Sequence, residues 1–572
     1  MKKLVAIVLF LITGISLTLA QKAATVDYSA LINEYRELIK TELPKNNIVG
    51  LSIALIDKNG IIWAEGFGYE NLKDSIKASE NSVYRIGSVT KLFTATALMQ
   101  LSEKGKLDLD KPVTKYVPEL NIKSLYGSID EITTRLILTH QSGFPSDMFG
   151  VNSGRESYKN VVNYLNEQYT AFPPDYMRIY SNIGYCFLGY EIEKVSKSGY
   201  ADYINRNIFA RVGMKNSFIS NESSNLGNVS KTYDYKKEEK DEPNLWIIPA
   251  GGIYSSVKDM GLFIQSWLKD KSPLLKTETI NSIFNPQDTK VAFNLGSEYG
   301  IGWDLKRTKY NYVAEHGGAT FYYRAQIAVN RYAGLGVIIL SNSPGSDAFR
   351  WRASEIIEKA CAIKGVAEMK LPDYNPESII NKKINLSEYQ GNYGQNMSWY
   401  PLKRSDSALV GKPGNDSMAF KLNRLGYFGL AVKQGEQWTD IPGQQFIFTE
   451  LNGEKVFLAP AWGTWVVAAK MYPQQIISDI WKKRLGKYKV LNYNSSSMFS
   501  EAELAITENT LCIQGITPFS DQPLGLPFDI KSDDLASSLG TSTYSGSMLQ
   551  VRNDNGIEIL YLMGLVLQKI TN

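Results

Sequence analysis

The chain reads Ser88-Val89-Thr90-Lys91 at the point where an apolar helical run begins. Residues three positions apart lie on one face of a helix, so the Lys91 amine can reach the Ser88 hydroxyl. At the start of a helix, unpaired backbone N–H groups and the positive end of the helix dipole favour the negative charge that develops during acyl transfer. The stretch therefore predicts a serine nucleophile with its own base.

The Ser-x-x-Lys pattern is weak evidence by itself. A chain of 572 residues is expected to contain it by chance roughly three times at average residue usage. The alternative interpretation is a capped helix with an exposed lysine. The choice between the two depends on other residues of the chain.

The first 20 residues have the pattern of a secretory signal peptide. Lys2 and Lys3 form a basic start, and an apolar stretch with a small-residue cleavage site follows, up to Ala20. The apolar stretch is short for a membrane span, and polar residues interrupt it. We therefore predict an exported protein, periplasmic or secreted, that loses residues 1–20 and keeps no transmembrane anchor.

The composition argues against several classes of protein. The three cysteines, Cys186, Cys361 and Cys512, are far apart and odd in number, so a disulfide framework is not expected. His140 and His316 are the only histidines and belong to no zinc motif, which predicts neither a metal nor another cofactor. A net charge of +4 does not indicate the basic surface that binds nucleic acid.

Strand patterns occur near both ends of the first 365 residues, and mostly helical patterns lie between them. The predicted helices are 27–43, 92–101, 158–168, 183–195, 257–268 and 348–363, and the predicted strands are 51–56, 61–66, 324–330 and 336–341. Strands from both ends then form one antiparallel sheet, flanked by helices, with a helical insertion between the two hairpins. We predict an α+β domain over residues 24–365.

The residue pattern of the sequence changes after residue 365. A proline-containing stretch predicts a linker over residues 366–383, and short alternating strands rich in Tyr, Trp and Gly follow it. A Gly-x-Tyr pattern at Gly391 recurs 95 residues later at Gly486. This weak repeat predicts two small all-β, lipocalin-like barrels over residues 384–476 and 477–572.

Further landmarks follow one another along the first domain. They are Tyr180-Ser181-Asn182 and His316-Gly317-Gly318, together with the segments Leu136 to Gly143, Ala250 to Ser256 and Tyr299 to Trp303. With the Ser88 stretch, their order resembles that of the penicillin-recognising serine hydrolases. This family includes class C β-lactamases, D-Ala-D-Ala carboxypeptidases, esterases and D-aminopeptidases. The resemblance implies a serine β-lactamase/transpeptidase-like fold for the first domain.

The resemblance also implies roles for the first two motifs. Ser88 would form the acyl-enzyme, Tyr180 would share proton transfer with Lys91, and Asn182 would hydrogen-bond the lysine and the substrate amide. A free lysine amine has a pKa of about 10.4, so Lys91 can act as a base only if burial or a nearby cation lowers its pKa. The residues leave open whether Lys91 or Tyr180 takes the first proton.

The third motif departs from the β-lactamase pattern. His316 and Gly317 stand where many members of the family carry a lysine and a threonine that bind a substrate carboxylate. A mostly neutral imidazole binds a carboxylate less well, which counts against efficient β-lactam hydrolysis and strict carboxypeptidase activity. The resemblance makes His316 and Gly318 substrate-binding residues, and it places the oxyanion hole at the backbone N–H groups of Ser88 and Ala319.

We expect an exported serine hydrolase that cleaves amide bonds of short D-amino-acid-containing peptides, as a D-aminopeptidase or D,D-peptidase. Two barrels after a hydrolase domain are similar to the three-domain architecture of D-aminopeptidases. One alternative is an esterase or weak β-lactamase with the same site, and another is a non-catalytic protein that binds a ligand or the cell wall. The expected partner is a small peptide or ester substrate, and His140 is expected to be structural.

Overall fold

The structure is a computed structural model of the chain. It describes residues 26–149, 157–219, 229–287, 291–295, 298–371, 375–381, 383–395, 398–411, 417–461, 464–472, 474–493, 499–517, 520–541 and 543–570. The predicted signal peptide lies outside these residues. Within them, a mixed α+β part precedes two closed β-barrels. The predicted fold class is therefore confirmed, while the domain boundaries stay predictions.

One large antiparallel sheet organises the α+β part. The strands of this part are β1 (Gly50–Asp57), β2 (Gly60–Asn71), β3 (Ile76–Lys77), β4 (Tyr84–Arg85), β5 (Phe218–Ile219), β6 (Thr232–Tyr233), β7 (Glu239–Lys240), β8 (Ile253–Ser255), β9 (Glu298–Tyr299), β10 (Asp304–Thr308), β11 (Asn311–Ala319), β12 (Arg324–Asn330) and β13 (Leu335–Ser341). Eight of them form a sheet in the order β3-β2-β1-β13-β12-β11-β10-β9. The two predicted hairpins meet where β1 pairs with β13, from Leu51 opposite Ser341 to Asp57 opposite Leu335.

Helices cover both faces of this sheet. They are α1 (Ser29–Lys45), α2 (Thr90–Glu103), α3 (Thr134–Leu138), α4 (Val161–Asn166), α5 (Asn182–Ser196), α6 (Tyr200–Ile204), α7 (Ala210–Val212), α8 (Ile248–Gly251), α9 (Val257–Leu268), α10 (Thr277–Ile283), α11 (Asp347–Arg350) and α12 (Ala353–Lys364). Ile53 of β1 packs in one core with α1 and α12, and Ile56 of the same strand packs in a second core with α9. Alternate residues of a strand point to opposite faces, so β1 is mostly apolar because both of its faces are covered.

The first barrel has an aromatic core. Its eight strands are β14 (Gly391–Gln395), β15 (Ser398–Ser405), β16 (Ala408–Gly411), β17 (Met418–Leu422), β18 (Phe428–Gln434), β19 (Gln437–Leu451), β20 (Glu454–Ala461) and β21 (Thr464–Tyr472), and β14 closes the barrel against β21. The Phe448 ring lies 4.6 Å from the Phe428 ring and 5.3 Å from those of Phe420 and Phe457. Described aromatic side chains therefore pack together in the core of this barrel.

The second barrel begins after a short helix, α13 (Asp479–Arg484), and closes where β22 pairs with β29. Its strands are β22 (Gly486–Val490), β23 (Glu501–Thr507), β24 (Thr510–Thr517), β25 (Ser520–Ser532), β26 (Leu535–Ser538), β27 (Met548–Asp554), β28 (Ile557–Leu562) and β29 (Leu565–Lys569). Trp481 of α13 is fully buried and packs in the barrel core with Phe528. Among the described residues, no helix combines the length and apolar character that a membrane crossing requires.

Candidate active site

Ser88 lies in a tight turn between the end of β4 and the start of α2. The turn is a 3-10 helix over Gly87–Val89, so Ser88 comes just before the α-helix proper. Gly87 has a φ of +52°, and a Cβ at this position would stand 2.9 Å from the backbone nitrogen of Ala319. The turn therefore presses directly against β11, and only glycine fits there.

Lys91 is completely buried and is held by three acceptors. Its Nζ donates to Ser88 Oγ at 3.2 Å, to Asn182 Oδ1 at 2.7 Å and to the carbonyl oxygen of Ala250 at 3.0 Å. Burial lowers the pKa of Lys91 to about 7, although Cys186 and Asp147 favour the charged form. A lysine with this pKa is partly neutral at neutral pH and can accept a proton.

Asn182 connects Lys91 to a carboxylate that the sequence analysis missed. Asn182 is the first residue of α5, and its Nδ2 donates to Asp147 Oδ2 at 2.7 Å. The backbone N–H of Met148 donates to the other carboxylate oxygen at 3.0 Å. Burial raises the pKa of Asp147, whereas these hydrogen bonds and Lys91 favour its ionised form. The one sequence signal for Asp147 was its place four residues after Gly143, where a landmark ends.

Tyr180 completes the group around Ser88. Its hydroxyl hydrogen-bonds the Ser88 side chain, and the Lys91 Nζ lies 4.7 Å from the centre of its ring. Burial raises the pKa of Tyr180 above its usual value. The phenol is therefore protonated at neutral pH and available as a proton donor.

His140 supports Tyr180 from behind. The two rings are 4.4 Å apart, and the backbone N–H of Ser181 donates to His140 Nδ1 at 3.1 Å. Burial, together with repulsion from Lys91, lowers the pKa of His140 well below its usual value. The imidazole is therefore neutral and fixes the backbone between Tyr180 and Asn182.

His316 faces the same cluster as a neutral acceptor. Its Nδ1 lies 2.7 Å from the carbonyl oxygen of Gly317, and since a carbonyl only accepts, Nδ1 carries the proton. The Nε2 atom therefore has a free lone pair, and it has no partner among the described residues. Burial lowers the pKa of His316 to about 3, and repulsion from Lys91 acts in the same direction.

The end of β11 lies against the Ser88 turn. A Cβ on Gly318 would stand 2.0 Å from the carbonyl oxygen of Ile86, so the two backbones touch. β11 lies within the sheet rather than at its edge, but its pairing with β10 stops at Glu315. The backbone of Ala319 is therefore next to Ser88 and beyond the reach of β10. The structure explains Gly318 by close packing, and its substrate-binding role stays a prediction.

A cavity of about 390 Å³ opens beside Tyr180. Three parts of the molecule form its walls: Arg178 and Asp304 come from the α+β part, Val467 from the first barrel and Thr541 from the second. Tyr180, which hydrogen-bonds Ser88, therefore lines a space that both barrels help to enclose.

Both barrels also bind the segment that leads to Tyr180. The backbone N–H of Phe149 donates to the carbonyl oxygen of Met563 in the second barrel at 2.7 Å. The Tyr176 hydroxyl donates to Glu454 Oε1 in the first barrel at 3.1 Å. Asp147 and Tyr180 therefore lie on a stretch of chain that both barrels contact.

Among the residues that the structure describes, no three or more His, Cys, Asp or Glu side chains are grouped so that they could hold a metal ion. The groups around Ser88 are those of acyl transfer: a nucleophile, a buried amine, a phenol and the backbone of a tight turn.

A comparison with protein families identifies this arrangement. The family model named Beta-lactamase matches residues 30–361, more than half of the chain. The chain belongs to the beta-lactamase family. The resemblance drawn from the six landmarks is thereby confirmed.

Curated relatives match a little more than half of the chain. Protein flp of Staphylococcus aureus (strain MRSA252) is 26% identical over 320 residues, which are 53% of this chain and 62% of that protein. Beta-lactamase-like protein 2 of Dictyostelium discoideum is 27% identical over 347 residues, or 57% of this chain and 62% of that protein. The chain thus matches less than two thirds of the length of these relatives.

Solved structures of similar fold extend further along the chain. The octameric penicillin-binding protein homologue from Pyrococcus abyssi covers 76% of this chain and 99% of its own, with 22% identity and a TM-score of 0.52. SurE with D-Leu covers 77% of this chain and 99% of its own, with 19% identity and a TM-score of 0.56. Both share the beta-lactamase fold and align with more of the chain than residues 30–361.

Proposed function

We propose that the protein is an exported hydrolase that forms an acyl-enzyme on Ser88 and cleaves amide bonds of short peptides containing D-amino acids. The observation that carries the catalytic part of this proposal is the 3.2 Å contact between Lys91 Nζ and Ser88 Oγ in a site where burial lowers the pKa of Lys91 to about 7. Export rests on the signal-like pattern of residues 1–20.

The acylation step starts from neutral Lys91. Its Nζ takes the proton of the Ser88 hydroxyl while Oγ forms a bond to the substrate carbonyl carbon. The pKa values favour Lys91 over Tyr180 as this first base, because burial lowers the pKa of the amine and raises that of the phenol. Asn182 keeps the amine in place because its Oδ1 accepts a hydrogen bond from Lys91 Nζ.

The tetrahedral intermediate needs two donors and a proton source. The backbone N–H groups of Ser88 and Ala319 stabilise its oxyanion, and the contact of Gly87 with Ala319 brings the two segments together. Tyr180 then protonates the leaving nitrogen as the C–N bond breaks, and Lys91 returns the proton to the phenolate. Water releases the acyl group by the same steps in reverse order, which restores the Ser88 hydroxyl.

His316 supports a substrate without a carboxylate at this position. An imidazole with a free lone pair on Nε2 and a pKa of about 3 accepts a hydrogen bond and carries no positive charge. It therefore offers no positive charge for the carboxylate of a β-lactam. SurE, whose structure has a similar fold, was determined with D-Leu. D-Leu is a D-amino acid, the class of residue that we propose for this substrate.

The test of this proposal uses the wild type and Ser88→Ala. A fluorophosphonate probe should label only the wild type, because the probe reacts with an activated serine. D-Ala-p-nitroanilide should be hydrolysed faster than nitrocefin, and a protein without labelling would contradict the acyl-enzyme. Turnover of p-nitrophenyl acetate alone would make the protein an esterase, and rapid nitrocefin hydrolysis would contradict the interpretation of His316.

A further inference from the structure

The turn that joins β11 and β12 is held by a carboxylate from another part of the chain. The turn begins directly after Ala319, the last residue of β11. The backbone N–H groups of Phe321 and Tyr322 donate to the two oxygens of Glu242, at 3.3 Å and 3.1 Å. The Thr320 hydroxyl hydrogen-bonds the same carboxylate. Three consecutive residues of the turn therefore share one acceptor group.

Glu242 is buried beside an arginine of β4. The side chains of Arg85 and Glu242 are 1% and 7% exposed, and their closest charged atoms are 3.9 Å apart. Arg85 also donates to the carbonyl oxygen of Pro243, the residue after Glu242, at 2.9 Å. A buried charge is costly unless it is paired and hydrogen-bonded, and Glu242 has both kinds of partner. The carboxylate is therefore held between Arg85 and the turn.

This pair connects the two segments to which the oxyanion hole is assigned. Arg85 is the last residue of β4, and only Ile86 separates it from the Ser88 turn. Glu242 holds the turn that starts after Ala319, whose backbone lies against the Ser88 turn. Arg85 and Glu242 therefore support both sides of the oxyanion hole.

The end of β11 needs such a support. Among the described strands, β12 alone pairs with it, because the pairing of β11 with β10 stops at Glu315. An oxyanion hole lowers the barrier only if its donors are already aimed at the developing charge. A misplacement of about 1 Å can lower the rate about 100-fold. The position of the turn therefore matters for catalysis.

We propose that Glu242 is a positioning residue of the oxyanion hole: anchored by Arg85, its carboxylate fixes the turn after β11 and thereby the Ala319 N–H relative to Ser88. Glu242 acts through Ala319. The inference rests on the proposed acyl-enzyme, and it holds for an amide and for an ester substrate alike.

Glu242→Gln tests this role. The side chain keeps its size, but an NH₂ group replaces one oxygen and cannot accept a hydrogen bond from the turn. In hydrolysis of p-nitrophenyl acetate, kcat should fall about 10- to 100-fold. KM should stay within about threefold of wild type, because the oxyanion hole binds the transition state more tightly than the substrate.

A spectroscopic measurement separates positioning from a loss of stability. In the fluorophosphonate adduct of Ser88, the phosphonyl oxygen takes the place of the oxyanion, so the phosphorus NMR resonance reports on the donors around it. This resonance should shift in Glu242→Gln, and thermal melting checks that the variant folds. Glu242→Asp is the second variant, because it keeps the charge near Arg85 and withdraws the carboxylate from the turn. It should show the same two effects.

The control is Glu239→Gln, which should match the wild type in both measurements. Glu239 lies in β7, its side chain is 41% exposed, and it pairs with Lys231 at 3.3 Å, so this change removes the same charge away from the turn. Folded Glu242 variants with the kcat of the wild type would overturn the inference. A loss of kcat with an unchanged phosphorus resonance would overturn it too, because Glu242 would then act on the fold and not on the oxyanion hole.

Labelling of the wild type separates this inference from the proposed function. A labelled wild type combined with normal Glu242 variants would reject the positioning role and keep the acyl-enzyme. A wild type that is not labelled would contradict the acyl-enzyme and, with it, the positioning role.

Discussion

Lys91 is completely buried, yet its role as a base requires the amine to gain and lose a charge. These two properties are rarely found together in one residue. The amine loses its hydration in the core, and three acceptors replace that hydration. Asp147 is the nearby carboxylate that favours the charged form of Lys91. The working pH of the enzyme therefore depends on a residue that does not touch Ser88.

Replacement of Asp147 by asparagine should shift the pH profile. The carboxylate raises the pKa of Lys91 toward its usual value, so its removal should lower that pKa below about 7. The rising limb of kcat/KM against pH should then move to lower pH, because neutral Lys91 forms earlier. Hydrolysis of p-nitrophenyl acetate between pH 5 and 9 measures the limb, and Asp554→Asn, at an exposed position at the end of β27, is the control. An unchanged or upward-shifted limb would show that Asp147 does not act on Lys91.

Two adjacent glycines of the third motif should differ in their tolerance of a methyl group. A Cβ on Gly318 would meet the backbone of Ile86, which precedes the Ser88 turn, at 2.0 Å. A Cβ on Gly317 would meet the flexible end of Arg350 at 2.7 Å. Gly318→Ala should therefore displace the nucleophile and lower kcat about 100-fold, whereas Gly317→Ala should stay within about threefold of wild type.

Steady-state kinetics together with thermal melting of both variants checks this contrast. A well-folded Gly318→Ala variant with normal kcat would mean that β11 does not set the position of Ser88.

At the residue scale, the sequence motifs predicted Ser88, Lys91, Tyr180 and Asn182, which the structure brings together. Asp147 escaped prediction because it joins the site through Asn182 and belongs to no spaced motif.

At the scale of elements, regular periodicity was the reliable signal. The predicted helix 257–268 and strand 324–330 coincide with α9 and β12. The strands β9 to β11 were missed, since β11 contains Gly317 and Gly318, which weaken a strand pattern. Gly318 lies against the backbone that precedes the Ser88 turn. The residue that this contact requires therefore weakens the sequence pattern of the strand.

The predicted helix 348–363 is two helices. α11 ends at Arg350, and α12 begins at Ala353. Asp347 of α11 pairs with Arg324 of β12, while α12 packs its apolar face in the core with α1. A turn at Trp351 and Arg352 separates the two segments. The apolar pattern of the sequence does not reveal this break.

The helix α5 contains a buried acid whose replacement should stabilise the protein. Burial raises the pKa of Glu191 to about 8, and its Oε1 accepts from Thr134 at 2.9 Å. The folded state therefore keeps a proton that the unfolded chain releases above about pH 4.3. Stability falls as pH rises between these two values, by about 1.4 kcal/mol per pH unit at most.

Glu191→Gln removes this dependence. The variant should be more stable than wild type at pH 8. At pH 5 the gain in its free energy of unfolding over wild type should be much smaller. Urea denaturation at both pH values measures the difference, with Glu37→Gln on the exposed face of α1 as the control. An equal gain at both pH values would show that Glu191 is not protonated in the folded protein.

At the scale of the whole molecule, the barrels limit the space around the nucleophile. The predicted repeat and the change of residue pattern after residue 365 identified both barrels. Their contacts with Phe149 and Tyr176 were not predictable, because docking surfaces leave no periodic pattern in a sequence. Val467 of β21 and Thr541 of the second barrel show that this docking encloses the cavity.

A bulky side chain on the barrel wall should discriminate between substrates by size. Val467→Trp should fill part of the cavity and raise KM for D-Ala-D-Ala-p-nitroanilide about tenfold or more, with little effect on p-nitrophenyl acetate. Val432→Trp, at a half-buried position of β18 in the same barrel, is the matched control. Unchanged kinetics for both substrates in Val467→Trp would mean that the first barrel does not bound the substrate site.

The pairing of β1 with β13 also has a consequence for biosynthesis. The central strand of the sheet is made early, but its partner ends at Ser341. At a translation rate of about 5 to 20 residues per second, the ribosome needs roughly 15 to 60 s to complete this partner. During that time the sheet is incomplete, and the nascent chain stays accessible to chaperones. The order of the strands thus delays folding until the nucleophile, the phenol and the third motif have all been synthesised.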